Sequence, residues 1–162
     1  MAEPAFVSLH EVPIEMLLAL NNAHQRETSP LDERKLSAML ATSFYARGIG
    51  TLDAMLIGFD QDAAYDSVNF LWFRARYRRF VYIDRVITAP GARGRGYGRA
   101  LYEDMIAQGR AAGHDRIFCE VNRLPPNPVS DAFHAALGFT VLGEASIYDG
   151  RTVRYLGRPI DA

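Results

Sequence analysis

The sequence predicts a mixed α/β fold in which helices flank one central sheet, mostly antiparallel with a single parallel strand pair. The first observation is a strand–helix–strand unit between residues 80 and 122, since two strands joined by a helical crossover run parallel. The second is Asp149-Gly150 between two apolar segments, which is typical of an antiparallel β-hairpin. The third is the order of elements: two helices, three strands, a helix, a strand, a helix and two strands.

The first two elements are predicted to be amphipathic helices. "VPIEMLLALNNAHQRE" places apolar residues one turn apart, as at Ile14 and Leu18. "SPLDERKLSAMLATS" follows, with Ser29 as the predicted N-cap and Pro30 at the first helical position.

Three apolar runs rich in aromatic or branched residues are predicted strands: "GTLDAMLIGFD", "SVNFLWFRARY" and "FVYIDRVITA". A helix is predicted from about Tyr97 to Ala112, with Gly113 as its stop. The strand "DRIFCEVN", the short helix "VSDAFHAALGF" and the final hairpin "TVLGEASIYDGRTVRYLG" complete the order.

Composition indicates an ordinary globular protein. The 162 residues fit one domain spanning 1–162, and the net charge of −1 argues against a general polyanion binder. The lone Cys119 excludes an intramolecular disulfide. Because the N-terminus has no apolar signal core and no apolar run approaches the roughly 20 residues of a membrane span, we expect a cytoplasmic protein without membrane contact. No metal-ligand spacing is present.

The stretch "ARGRGYGRA", residues 92–100, predicts an anion site. Glycines permit positive φ and let backbone N–H groups converge, and a helix N-terminus adds unpaired donors with a partial positive charge. Three arginines can add charge-assisted hydrogen bonds at the rim. A phosphate or diphosphate suits such a site best. The glycine spacing does not match the dinucleotide fingerprint, and the Gly-Lys-Ser/Thr ending of a P-loop is missing.

The pattern Arg93-x-x-Gly96-x-Gly98 directly after a strand resembles the R/Q-x-x-G-x-G/A signature of the GNAT superfamily, the Gcn5-related N-acetyltransferases. "VITAPGARGRGYGRALYEDM" is similar to the strand, proline turn, loop and helix of that family's acetyl-CoA motif. "NPVSDAFHAALGF" resembles its second motif, an asparagine before a short helix that ends in Gly-Phe.

The resemblance implies an acetyl-CoA cleft at the parallel strand pair, where the two strands part and an N–H near Val86 serves as oxyanion donor. Acetyl-CoA is then the acyl donor substrate, and no metal is implied. The implied donor-binding residues are Val86, Ile87 and Thr88 beside the pantetheine, Arg93, Gly94, Arg95, Gly96, Tyr97, Gly98 and Arg99 at the diphosphate, Asn127 at the pantetheine arm and Phe133 near the thioester.

One position departs from the family pattern. Many members carry a tyrosine four residues before the glycine of Gly-Phe, and the resemblance assigns it as the acid that protonates the leaving thiolate. This chain has His134 there. A histidine can donate a proton in the same way, or it can cap the loop or contact CoA without proton transfer.

Amine attack on a thioester needs a neutral amine, so a base is expected. Asp84 is the first candidate, since an acid in the apolar run "FVYIDRVIT" is costly unless it is paired or functional. Its alternative is a salt bridge to Arg85 or Arg76. Glu120 in "FCEVN" is the second candidate.

These observations favour an N-acetyltransferase that moves an acetyl group from acetyl-CoA to an amine by direct attack in a ternary complex. The alternatives are a non-catalytic CoA-binding module and, less favoured, a nucleic-acid binder that uses the arginines between residues 74 and 99. Glu27, Thr28 and Ser29 are candidate neighbours of the acceptor, whose identity the sequence does not select. The final hairpin permits a homodimer.

Overall fold

The computed structural model describes residues 4–23, 30–147 and 150–161. Within these residues, seven strands form one sheet in the order β1-β2-β3-β4-β5-β7-β6, and five α-helices flank it. The strands are β1 (Phe6–Ser8), β2 (Tyr45–Ile49), β3 (Ala54–Asp60), β4 (Phe80–Thr88), β5 (Arg116–Leu124), β6 (Thr140–Ser146) and β7 (Thr152–Pro159). The helices are α1 (Ile14–Asn22), α2 (Glu33–Thr42), α3 (Val68–Arg74), α4 (Tyr97–Ala111) and α5 (Pro128–Ala136).

The predicted mixture of strand directions is confirmed. β4 and β5, joined through α4, pair in parallel, and the other described strand pairs are antiparallel. The hairpin of β6 and β7 forms as predicted, although Asp149 of its turn lies outside the described residues.

Alternation along the central strands divides the core between the two faces of the sheet. Phe80 and Tyr82 join the core beneath α1, α2 and α3, where Phe73 stacks on Phe118 with ring centroids 4.5 Å apart. Val81 joins the core beneath α4 and α5. The two faces therefore carry different helices, and any opening through the sheet connects two different environments.

The strand predicted for "SVNFLWFRARY" is wrong. Residues Val68–Arg74 form α3, because Phe70 and Phe73 lie one helical turn apart and both are fully buried against the sheet. The third strand of this region is instead β2, which the sequence analysis missed, as it missed the three-residue β1.

The predicted start of α2 is also wrong. The N-cap is Asp32, whose Oδ1 accepts a hydrogen bond from the backbone N–H of Lys35 at 2.7 Å. Ser29, the predicted cap, lies outside the described residues. An acidic N-cap accepts a hydrogen bond from a free helical N–H and complements the helix dipole. Asp32 therefore caps α2, the role predicted for Ser29.

Candidate active site

A gap opens where β4 and β5 part. They pair only from Phe80 to Tyr82 and from Arg116 to Phe118, and beyond those residues the strands diverge. A cavity of about 340 Å³ occupies the gap. One face of the sheet contributes Tyr102, Cys119 and His134 to its lining, and the other contributes Tyr65, Asn69, Asp84 and Glu120.

The glycine–arginine loop stands beside one end of this gap with its backbone donors available. Gly94 and Gly96 have φ values of +80° and +77°, a left-handed conformation that favours glycine. Among the described residues, the backbone N–H groups of residues 93–99 donate to no protein acceptor. A Cβ built on Gly94 or Gly96 would meet no atom within 4 Å, so this surface of the loop is open.

These features fit an anionic group at the N-terminus of α4. Seven successive backbone N–H groups without a protein acceptor in the described residues lie beside the positive end of the helix dipole, and the exposed side chains of Arg93 and Arg95 add positive charge. The guanidinium of Arg99 is paired with Glu103 at 2.9 Å. The loop therefore offers hydrogen-bond donors, positive charge and open space to an anionic group.

The second half of β4 offers one edge to the gap. Val86, Ile87 and Thr88 pair with Leu56, Met55 and Ala54 of β3 on one side, while β5 has left them on the other. Val86 also lines the cavity, whereas the Ile87 side chain is buried in the core. An extended ligand can lie along this edge as an added strand would.

The remaining predicted donor contacts lie at the start of α5 and beside α4. Asn127 lines the cavity and caps α5, its Oδ1 accepting from the backbone N–H of Ser130 at 3.2 Å. The ring of Phe133 faces Gly98, since a Cβ there would lie 3.7 Å from Phe133 Cζ. Gly98 of α4 therefore lies directly beside the Phe133 ring of α5.

Asp84 lies at a β-bulge, where Arg85 pairs with Ile57 but Ile83 pairs with Gly58. The bulge leaves Asp84 as the extra residue of β4 and turns its carboxylate toward the gap. Arg85 Nε donates to Asp84 Oδ2 at 2.7 Å, and the hydroxyl of Tyr65 donates to Oδ1 at 2.5 Å. The salt bridge to Arg85, the alternative considered for this acid, is therefore present.

Glu120 lies opposite on β5. The hydroxyl of Tyr82 donates to both carboxylate oxygens, at 2.9 and 2.7 Å, and Asn69 Nδ2 donates to Oε1 at 3.1 Å. Tyr155 in turn donates to Asn69 Oδ1 at 2.9 Å, which fixes the orientation of the amide. Burial raises the pKa of Glu120 to about 8, with a smaller contribution from the charge of Asp84.

His134 is buried on α5 and both of its ring nitrogens have partners. Nδ1 lies 2.8 Å from the carbonyl oxygen of Ser130, which can only accept, so Nδ1 carries the proton. Nε2 then accepts from the hydroxyl of Tyr102 at 2.8 Å. Burial lowers the pKa of His134, which favours the neutral ring. The hydrogen-bond partners of the neutral ring fix its proton on Nδ1.

The gap brings together Asp84, Glu120, His134, Val86 and Asn127. The sequence analysis did not select Tyr102 and Asn69, which also line the gap, or Tyr82, which is buried behind Glu120 and donates to it. Asn69 was hidden in a segment predicted to be a strand, although an amide in that apolar run was a usable signal. Tyr102 follows Gly98 by about one helical turn, which faces it toward the same side of α4. The acceptor-side candidates Glu27, Thr28 and Ser29 lie outside the described residues.

No group of three or more His, Cys, Asp or Glu side chains suited to a metal ion occurs in the described part of the chain. Within the same residues, no helix has the length and apolar character needed to cross a membrane.

The sheet splits between two parallel strands, and a glycine loop with free backbone N–H groups stands at the start of the next helix. This combination defines the class of GNAT acetyltransferases, with which the sequence motifs were compared. The sequence profile of the acetyltransferase (GNAT) family matches residues 49–139, more than half of the chain. The chain belongs to the GNAT family, which confirms the resemblance found in its motifs. Comparison with curated protein sequences gives no significant match.

Solved structures of the same fold cover nearly the whole chain. The ribosomal-protein-S18-alanine N-acetyltransferase from Escherichia coli has a TM-score of 0.72 at 17% identity, over 99% of this chain and 96% of that chain. Ard1 from Thermoplasma volcanium has a TM-score of 0.75 at 12% identity, over 99% of this chain and 100% of that chain. A putative acetyltransferase from Salmonella typhimurium, solved with its cofactor acetyl-CoA, has a TM-score of 0.69 at 16% identity, over 99% of this chain and 96% of that chain.

Proposed function

We propose that this protein transfers the acetyl group of acetyl-CoA to the nitrogen of an amine acceptor by direct attack within a ternary complex. The observation that carries the proposal is the gap between β4 and β5, which runs through the sheet. Free loop amides lie beside it at the start of α4, and two carboxylates line its opposite face. Donor and acceptor can therefore approach the same point from different faces.

The donor side is assigned to the loop and to β4. The amides of residues 93–99, with Arg93 and Arg95, hold the diphosphate, and the free edge of β4 from Val86 to Thr88 aligns the pantetheine. Asn127 keeps an amide N–H₂ for the same arm, since its Oδ1 caps α5. Acetyl-CoA supplies an activated acyl group on a sulfur leaving group.

We assign the general base to Glu120 ahead of Asp84, the reverse of the order that the sequence suggested. The carboxylate of Asp84 is occupied by Arg85 and Tyr65, and protonating it would break a buried ion pair. Glu120 has a pKa near 8, close to that of an α-amine, so proton transfer from such an ammonium to Glu120 is nearly balanced in free energy.

In this assignment Glu120 takes a proton from the acceptor nitrogen at one carboxylate oxygen, while Tyr82 and Asn69 hold the carboxylate in place. Because the base must be ionised, we expect kcat/KM to rise with pH up to about 8. Proton donation by His134 to the leaving thiolate stays a prediction. It would require the imidazolium, since the proton of the neutral ring is directed to Ser130.

The experiment is an amine panel with acetyl-CoA, read out as free thiol above the hydrolysis background. The panel includes a peptide that begins with alanine, because the Escherichia coli structural relative acts on an alanine, together with free amino acids, polyamines and lysine peptides. Acceleration by at least one amine is expected. Thiol release that no amine accelerates would remove the transferase proposal and leave a CoA-binding module.

Base variants locate the chemistry once an acceptor is known. Glu120→Gln is expected to lower kcat by about 10²-fold or more, with little change in the Kd for CoA. Glu144→Gln removes a half-exposed carboxylate on β6 and serves as the matched control. If Asp84→Asn lowers kcat as expected of a base while Glu120→Gln keeps the full rate, the assignment reverts to Asp84.

A homodimer through the final hairpin also stays a prediction. Its support is that β6 pairs only with β7 among the described strands, so one edge of β6 is open to a second copy. Sedimentation of the purified protein tests this prediction directly.

A further inference from the structure

A tyrosine and a histidine meet between α4 and α5 at the donor side of the gap. Tyr102 is 1% exposed and His134 is 5% exposed, and the distance from the Tyr102 hydroxyl to His134 Nε2 is 2.8 Å. The direction of this hydrogen bond is fixed, because the proton of the neutral ring lies on Nδ1 toward Ser130. Tyr102 therefore donates and His134 accepts.

The two helices joined by this bond carry the two parts of the proposed donor site. The diphosphate loop leads directly into α4, and Asn127 caps α5. Phe133, next to His134, packs edge-to-face on Tyr102 with centroids 5.1 Å apart. Its ring also lies against Gly98 in the first turn of α4, where a Cβ would be 3.7 Å from Phe133 Cζ. A change at Tyr102 is thus transmitted to both parts of the donor site.

The pair is poorly suited to deliver a proton. Burial raises the pKa of Tyr102 well above its usual range and lowers that of His134. The hydroxyl proton of Tyr102 is directed at His134, and the ring proton of His134 is directed at a carbonyl oxygen. Both protons are therefore engaged by acceptors within the protein.

We propose that Tyr102 is a positioning residue, whose hydrogen bond to His134 holds α5 against α4 and sets the width of the donor side of the gap. The binding of CoA then depends on this bond, whereas proton transfer does not. The inference rests on the proposed function, because it assumes that CoA lies between these two helices.

The test is calorimetric titration of CoA into the wild type and variants, combined with steady-state kinetics. Tyr102→Phe removes one hydroxyl and leaves His134 Nε2 without its donor. We expect the Kd for CoA and the KM for acetyl-CoA to rise about tenfold, with kcat at saturation within about twofold of the wild type. Tyr45→Phe is the matched control, since Tyr45 is buried and donates to Asp104 of α4 at 2.8 Å, on the side toward β2. It should leave the Kd for CoA unchanged.

Substitutions at His134 test the same bond from the other partner and do not depend on the folding of Tyr102→Phe. His134→Gln keeps an acceptor for the Tyr102 hydroxyl and should restore most of the CoA affinity that His134→Leu loses. An unchanged Kd in both Tyr102→Phe and His134→Leu overturns the inference. A large fall in kcat with unchanged Kd also overturns it and assigns the pair to acid catalysis. If the wild type itself fails to bind CoA, the proposed function is the part that fails.

Discussion

Replacing Glu120 with glutamine tests the electrostatics of the gap through protein stability. Glutamine keeps the shape of the side chain and an oxygen that can accept from Tyr82 and Asn69, but it cannot ionise. Burial raises the pKa of Glu120 from 4.5 to about 8. This shift corresponds to roughly 5 kcal/mol against the ionised form in the folded protein. The figure is an upper limit, because the residue is only partly buried.

The raised pKa fixes the sign of the pH dependence. Between pH 4.5 and about 8 the unfolded chain has already lost the proton that the folded protein still holds at Glu120. The wild type therefore loses stability as the pH rises through this window, by up to about 1.4 kcal/mol per pH unit. Glu120→Gln lacks that loss. The stability of the variant relative to the wild type should rise by a few kcal/mol across the window and level off above it.

Urea unfolding of both proteins, followed by the fluorescence of Trp72, measures this difference from about pH 5 to about pH 9. Titrations of other residues cancel because both proteins share them. Glu144→Gln, at a half-exposed carboxylate, should show no such rise relative to the wild type. A difference between Glu120→Gln and the wild type that stays constant across this range would refute the reasoning.

Three further changes probe the loop, the pH response and the core. Gly98→Trp should abolish CoA binding, because an indole at this position must displace the Phe133 ring on the donor side of the gap, whereas Gly98→Ala, whose Cβ would lie 3.7 Å from Phe133, should bind normally; equal affinity of both variants in a calorimetric titration contradicts this geometry. Burial lowers the pKa of His114, so the wild type should lose stability as the pH falls below 6.5, and His114→Gln should lose less in urea titrations; parallel losses would show that His114 does not contribute. Phe73→Ala removes a fully buried ring stacked on Phe118 and should cost about 3–5 kcal/mol in the free energy of unfolding; a cost below about 1 kcal/mol would mean that this core packs differently.

The fold was predictable where one periodicity dominated a segment. The parallel unit from β4 to β5 was recognised because α4 separates two apolar runs and its ends are marked by glycines. The segment of α3 was not, because its aromatic residues are common in strands and a segment of only seven residues satisfies both patterns. Burial of Phe70 and Phe73 against the sheet stabilises the helical conformation of this segment. The sequence alone does not show this tertiary contact.

The candidate site also has parts that the sequence predicts and parts that it does not. The glycine loop before α4 could be found from the sequence because glycine φ values and a helix N-terminus are local properties, and its role as an anion site stays a prediction. The partners of Glu120 could not, since Asn69, Tyr82 and Tyr155 come from three separate elements. The sequence ranked Asp84 before Glu120 as the candidate base, and their different partners, Arg85 in one case and neutral groups in the other, reverse that order.

The proposed activity depends most on the loop before α4 as a diphosphate site, and calorimetric titration of CoA into the purified wild type tests this role most directly. We predict one site per chain with a Kd of about 100 μM or tighter, and affinity reduced by at least about 100-fold for pantetheine, which lacks the diphosphate. No binding of CoA at millimolar concentration, or equal affinity for pantetheine, would contradict it.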